Sequence, residues 1–300
     1  SQNTEKIKFL VAFRPGLVGP TMAAQQINTF DKLTGGRLSL NVVSGVSSVD
    51  LKRYGYFVDH DSRYEHTEEF LDIIRLLWEE KGPVTFKGQF YEIEEADVFP
   101  TREGRRPPDI FLAGASKGAR RLAARLGDVH VCHAVEPEVV AKDVLEVGAL
   151  AEEHQRDRKL EFGIRPLVCI RETKKEAKEA AERIVADSDP TKTRNWGAAS
   201  RGESVTQQRV NELASRGDLW ISDTIYMGVN QVRQGAGTMF VGTPDMVAAQ
   251  IREYAEAGVT RFIMHGWPHL EEAEIFGREV MPLLQDLAPA ALPDPEEIAL

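Results

Sequence analysis

Apolar positions along the chain fall into two alternating rhythms: short β-rich runs, and longer stretches in which apolar residues recur every three to four positions. Residues 7–13 (IKFLVAF) read as a first strand. Pro20 stands where a helix starts, an apolar-periodic stretch follows, and Gly35-Gly36 stops it. Residues 37–43 (RLSLNVV) predict a second strand, which ends in Ser44-Gly45. A long helix is predicted over 62–80, with Tyr64, Phe70, Ile73, Ile74 and Leu77 at helical spacing. Residues 88–93 read as a small excursion before Pro107-Pro108.

Strands over 109–114 (DIFLAG), 129–134 and 162–170 then alternate with helices over 116–126, 136–154 and 174–186. From 187 to 243 the pattern breaks into polar, Gly-rich sequence, and a segment of this length predicts a lid or excursion. A helix started by Pro244, a strand over 261–266, a last helix and a loose tail over 288–300 close the chain. Strands separated by helices mean a parallel sheet with right-handed crossovers. No G-x-G-x-x-G follows the first strand, which weakens a dinucleotide-binding reading. About six core strands are two short of the eight in a closed barrel. An open sheet and a single barrel domain over 1–300 lacking its first two βα units both fit that count.

Composition narrows the partners. A formal net charge of -10 argues against nucleic acid or an anionic membrane, though a few local arginines can still hold a small anion in a cleft. The two cysteines, Cys132 and Cys169, each sit in an apolar run and read as buried thiols in a reducing compartment. No apolar stretch approaches the ~20 residues of a membrane helix and no signal peptide opens the chain, so a cytoplasmic location is the expectation.

Several segments carry a resemblance. IKFLVAFRPGLVGPTMAAQQINTFDKLTGGRLSLNVVSG, DHDSRYEHTEEF and GVTRFIMHGWPHLEEAEIFGREVMPLL are similar to successive units of the bacterial luciferase-like, flavin-dependent monooxygenases. FGIRPLVCIRET, TQQRVNELA and VRQGAGT, in that order, resemble the alkanesulfonate monooxygenase branch, and NVVSG resembles the dimethylsulfone monooxygenases. The resemblance covers nearly the whole chain and implies a TIM-type (β/α) barrel, with the family's first two strands expected upstream of Ser1. It favours the incomplete barrel over the open sheet.

In such a barrel the site is built at the C-terminal ends of the strands. Those ends offer Arg14, Asn41, Ser44, the Ala115–Gly118 run, His133, Arg165, Leu167, His265, Trp267 and His269. Ala115 and Ser116 open a helix whose amides suit a flavin mononucleotide phosphate. The resemblance assigns flavin contacts to Asn41, Ser44 and Tyr64, and places Arg165 and Arg233 at substrate binding and the mobile lid. Sulfonate is fully ionised, and Arg binds it without risk of losing its proton. Arg165 lies on a strand expected to be apolar, where a buried Arg without a partner is costly.

The chain also departs from the family pattern. Leu167 stands where alkanesulfonate enzymes carry a catalytic His, and Trp267 replaces their active-site Tyr; Trp donates a hydrogen bond but is no acid or base. His269 keeps its place, with His265 as an additional candidate. The resemblance implies a two-component oxidoreductase: reduced FMN supplied by a separate NAD(P)H-dependent flavin reductase, molecular oxygen, and a small organosulfur substrate cleaved to sulfite and an aldehyde. It further implies a homo-oligomer, dimer or tetramer. A deazaflavin-dependent hydride-transfer enzyme and a non-catalytic flavin-binding relative are the alternatives.

Overall fold

Every second residue of the second strand is apolar, and that alternation decides which face of the first sheet is covered. The computed structural model describes residues 1–44, 48–59, 62–79, 82–100, 106–188, 212, 215, 219–232 and 237–287. These fall into two compact units, the first built from Ser1–His133 and Lys142–Gly163, the second from Ala134–Ala141, Ile164–Arg194 and Val210–Leu300.

The first unit holds β1 (Phe9–Phe13), α1 (Pro20–Leu33), β2 (Leu38–Val42), α2 (Ser48–Arg53) and α3 (Ser62–Glu79). A hairpin of β3 (Val84–Lys87) and β4 (Glu92–Ala96) follows, then β5 (Asp109–Ala113), α4 (Lys117–Leu126), β6 (Val129–Cys132), most of α5 (Pro137–Glu152) and most of β7 (Glu161–Ile164). Strands β1, β2, β5, β6 and β7 lie side by side in that order. Parallel register sets Val11 beside Leu40 and Leu40 beside Ile110. Leu38, Leu40, Val42, Ile110 and Leu112 pack against Ala23, Ala24 and Ile27 of α1, Phe70, Leu71 and Ile74 of α3, and Leu122, Ala123 and Leu126 of α4. Full burial of such a side chain contributes roughly 1.5–3 kcal/mol, so this one-sided contact is what holds the helices on the sheet.

The second unit holds β8 (Leu167–Ile170), α6 (Lys174–Ala186), β9 (Ile225–Tyr226), β10 (Met239–Gly242), α7 (Pro244–Glu256), β11 (Arg261–Phe262), β12 (His265–Gly266) and α8 (His269–Ile275). Its sheet runs β12-β8-β10-β9, with β8 parallel to both neighbours and β9 antiparallel to β10. Leu167, Cys169, Met239 and Val241 face Ala177, Ala180 and Ala181 of α6. Helix α6 begins with a capping box, in which the Thr173 hydroxyl accepts from the Glu176 amide and the Glu176 carboxylate from the Thr173 amide. On α7, Tyr254 stacks on Phe240 with centroids 5.2 Å apart.

Two sequence expectations need correction, and two further regions gain detail. Residues 162–170 are two strands, not one, because Pro166 offers no amide and the ladder restarts where Leu167 donates to the Thr238 carbonyl at 2.8 Å. Residues 261–266 likewise split into β11 and β12. The excursion at 88–93 belongs to the β3–β4 hairpin, whose tip is fixed by the Glu69 carboxylate accepting from the amides of Gln89, Phe90 and Tyr91 at 2.9, 3.0 and 2.6 Å. Within the expected lid over 187–243, β9 and the fully buried β10 are regular strands; four residues between glycines are too short to show a period. Most of the remaining lid, and the tail over 288–300, lie outside the described residues. Both cysteines are buried and unpaired; burial pushes their thiols up to about 12 at Cys132 and about 11 at Cys169, so neither is a nucleophile near neutral pH. Among the described residues no helix is long and apolar enough to cross a membrane.

His130, on the helix-covered face of β6, is 1% exposed; burial first, then the nearby Arg120 guanidinium, hold its imidazole down at about 4. The unfolded chain binds that proton near pH 6.5 and the fold refuses it until about 4, so stability is complete above 6.5 and is lost as pH falls through this window. Melting scans between neutral pH and pH ~4 should show a smaller loss for His130→Gln than for the native chain. Equal losses would place the acid sensitivity elsewhere.

Candidate active site

Parallel strands deliver their C-terminal ends to one edge, and the candidate cofactor residues of the first unit sit along it. Leu38, Leu40 and Val42 face the helices, so alternation turns Asn41 to the opposite face, beside Ala12 and Phe111. Ser44 follows two residues after β2. Beyond β5 the chain turns at Gly114 with φ +139°, where an added Cβ would lie 2.7 Å from that of Ala119; only glycine makes this turn. Ala115 leads to Ser116, the N-cap of α4, whose hydroxyl accepts from the Ala119 amide at 3.2 Å. That bond leaves the Lys117 and Gly118 amides without an acceptor inside the helix. At the other end of α4, Arg156 donates to the carbonyls of Ala123, Ala124 and Gly127, and Arg75 donates to that of Leu126 at 2.8 Å. Cations therefore close the negative end of the helix and its positive end opens on the strand-end edge.

Tyr64, on the first turn of α3, completes this place. Its ring lies so close to Gly118 that a Cβ there would come within 2.9 Å of Cδ2. Residues more than fifty positions apart thus form one cradle of hydroxyl, ring and backbone amides. The arrangement fits a phosphate monoester: a ten-residue helix aims its dipole and free amides outward, and a phenol stands beside them.

In the second unit Arg165 occupies the break between β7 and β8 and is exposed. The expectation that burial constrains this arginine is corrected, since Pro166 interrupts the strand and lets the side chain leave the sheet. The next carbonyl, Pro166, accepts from the His265 amide at 3.4 Å, which ties Arg165 to β12. There His265, Trp267 and His269 cluster, with ring centroids 6.2 Å apart for Trp267–His269 and 6.4 Å for His265–His269. His269 is exposed, and its Nδ1 donates to the Gly266 carbonyl, so the neutral ring carries its proton on Nδ1 and offers Nε2 as an acceptor. Trp267 packs on the core around Leu167, itself wholly buried. Arg233 lies outside the described residues; on either side of it, Asn230 clasps Gly237, accepting from its amide at 3.1 Å and donating to its carbonyl at 2.6 Å.

Two features were not legible beforehand. One is Glu272 in the PHLEEA segment, 1% exposed: its carboxylate pairs with Arg171 at 2.5 Å and accepts from the Ile170 amide at 3.1 Å. Burial pushes that carboxyl up and Arg171 pulls it back down. It holds α8, and so His269, on β8; Gly266 must be glycine because a Cβ would meet Glu272 at 2.7 Å. The other is a cavity of about 480 Å³ in the first unit, where Tyr56, His66 and Tyr91 meet.

The sequence profile of the luciferase-like monooxygenase family matches residues 1–261. The chain belongs to the luciferase-like monooxygenase family. The EDTA monooxygenase EmoA from Chelativorans sp. BNC1 shares its fold with TM-score 0.74 at 22% identity, over 100% of this chain and 79% of that one. DmoA from Hyphomicrobium sulfonivorans matches with TM-score 0.77 at 20% identity, over 96% and 70%. The coenzyme F420-dependent tetrahydromethanopterin reductase from Methanopyrus kandleri matches with TM-score 0.66 at 20% identity, over 92% and 84%.

Membership makes this luciferase-like protein an oxidoreductase of the monooxygenase class with the family's TIM-type α/β fold. Within that frame Glu272 is a positioning residue. Glu272→Ala should lower stability by on the order of 3 kcal/mol, because it strips Arg171 of its carboxylate and leaves the Ile170 amide unmatched. Denaturant titration checks this; a loss under about 1 kcal/mol would mean that the pair does not anchor α8.

Proposed function

We propose that this luciferase-like protein is a two-component monooxygenase that uses reduced FMN and oxygen to convert a small organosulfur compound, such as an alkanesulfonate, into sulfite and an aldehyde. The observation that carries the reading is the cradle formed by Ser116, the Lys117 and Gly118 amides and Tyr64. These groups would hold a reduced flavin by its phosphate, and the flavin would supply the electrons for oxygen activation. Asn41, on the neighbouring strand β2, and Ser44, just beyond its end, fall to the flavin's ring and ribityl chain.

The chain's own groups do the remaining work. Arg165 offers a planar pair of donors to a sulfonate, and Arg233 is assigned to the lid that excludes water. Trp267 supplies an N–H donor. His269, with Nδ1 tied to Gly266, keeps Nε2 ready to take up a proton. The buried Leu167 has no part in proton transfer, so the duty that alkanesulfonate enzymes give to a histidine at this place passes to His269. The reduced flavin comes from a separate NAD(P)H-dependent reductase, and the working assembly is a homodimer or homotetramer in the cytoplasm.

A second reading, hydride transfer with a deazaflavin, is favoured by the shared fold of the F420-dependent reductase. The two part on one assay. Supplied with a flavin reductase, NADH, FMN, oxygen and short alkanesulfonates, the protein should release sulfite, and Arg165→Ala should lower kcat/KM by about tenfold to a hundredfold. No sulfite from any sulfonate, together with turnover of a reduced deazaflavin, would replace the first reading with the second.

A further inference from the structure

The cavity of about 480 Å³ in the first unit is not needed by the proposed chemistry, yet it is built with care. Its wall comes from the loop after β1, the segment before α3, α3 itself and the tip of the β3–β4 hairpin. Five of its residues carry rings: Tyr56, Phe57, His66, Phe90 and Tyr91. The Tyr56 hydroxyl lies 2.9 Å from His66 Nδ1, and the His66 ring packs on Tyr91 at 4.8 Å and edge-on to Phe90 at 5.0 Å. Gly16, at φ +89°, lets the loop close over Tyr56; a Cβ there would lie 2.2 Å from the ring. Glu69 pins the hairpin tip through its three amide bonds, so the ring-bearing wall is held from two sides.

No lining side chain other than the imidazole can carry a charge near neutral pH. Burial lowers His66 and raises Tyr56 to about 12, so both stay neutral there and share a single proton along their bond. Whichever group donates, the Tyr56 oxygen keeps a lone pair as an acceptor. A wall of this kind gives an ionised head group no charged lining side chain to pair with and favours a flat apolar ring stacked or edge-on against its own.

We propose that this cavity, which shares no residue with the cradle of Ser116, Gly118 and Tyr64, is a binding site for a small uncharged planar aromatic molecule bearing one hydrogen-bond donor, of the phenol or indole type. The size is in the range of small-molecule sites, roughly 300–1,000 Å³. Specificity comes from ring packing for the body of the ligand and from the Tyr56 oxygen for its single polar group.

The test is ligand-observed NMR on the full chain with phenol and indole, using cyclohexanol and benzenesulfonate as the non-planar and charged counterparts. Phenol or indole should saturate a site, and each counterpart should bind about tenfold more weakly or not at all. Two variants alter the wall at positions outside the buried core. Phe57 is 71% exposed, so Phe57→Ala removes wall without opening the core. Gly19 has φ -64°, and an added Cβ meets nothing within 4 Å, so a side chain can start there and Gly19→Leu adds bulk at the cavity. Both should weaken phenol and indole by about fivefold or more, with melting temperatures held close to native. Saturable binding by neither probe, native-like binding by both variants, or displacement of the probe by FMN would each overturn the assignment.

Discussion

The turn at Gly114 is the constraint on which the first unit's chemistry depends. A parallel strand must hand its chain to a helix on the same edge of the sheet, and here the handover is completed in three residues. A left-handed backbone at Gly114 aims the chain back over the sheet, and Ser116 caps the new helix at once. The apolar face of α4 then sinks Leu122, Ala123 and Leu126 into the core, which fixes the helix axis. Once that axis is fixed, its amides point out over the strand ends, and Gly118 gives Tyr64 room to lie against them. Fold stability and the proposed phosphate cradle thus share one piece of backbone.

The second unit solves a different problem, that of holding short elements in place. β12 has two residues and α8 seven, neither long enough to stand without help. The buried Glu272 supplies it through a charged partner and a backbone amide, and the neighbouring Gly266 permits the close approach. Buried ionic groups are a weak source of net stability, but they make one arrangement much better than its neighbours. For a histidine whose useful nitrogen depends on a single hydrogen bond to a backbone carbonyl, such uniqueness matters more than total stability.

How much of this was legible follows from what leaves a local trace. Long helices such as α3 and α6 declare themselves by periodicity and caps, and strands such as β2 and β5 by dense apolar runs, so the alternating α/β order was readable. The buried strand β10 was not, because three apolar residues and a threonine between glycines look the same in a loop. The break at Arg165-Pro166 was overridden by the apolar residues around it, which made an exposed arginine look buried. Ser116 and Tyr64 could be singled out separately, yet nothing local brings Tyr64 against Gly118; that is a product of α3 packing on α4. The ring cluster of Tyr56, His66 and Tyr91 left no trace at all, since each residue alone reads as core or surface.

The central claim is that α4 receives a phosphate beside Tyr64. Its most direct measurement is the anaerobic affinity of the native chain for reduced FMN against reduced riboflavin, which differ only by that phosphate. The account predicts a preference for FMN of about a hundredfold, reduced to about tenfold or less in Gly118→Leu, where the new side chain displaces Tyr64 and covers the amides. Equal affinity for the two flavins in the native chain would contradict it.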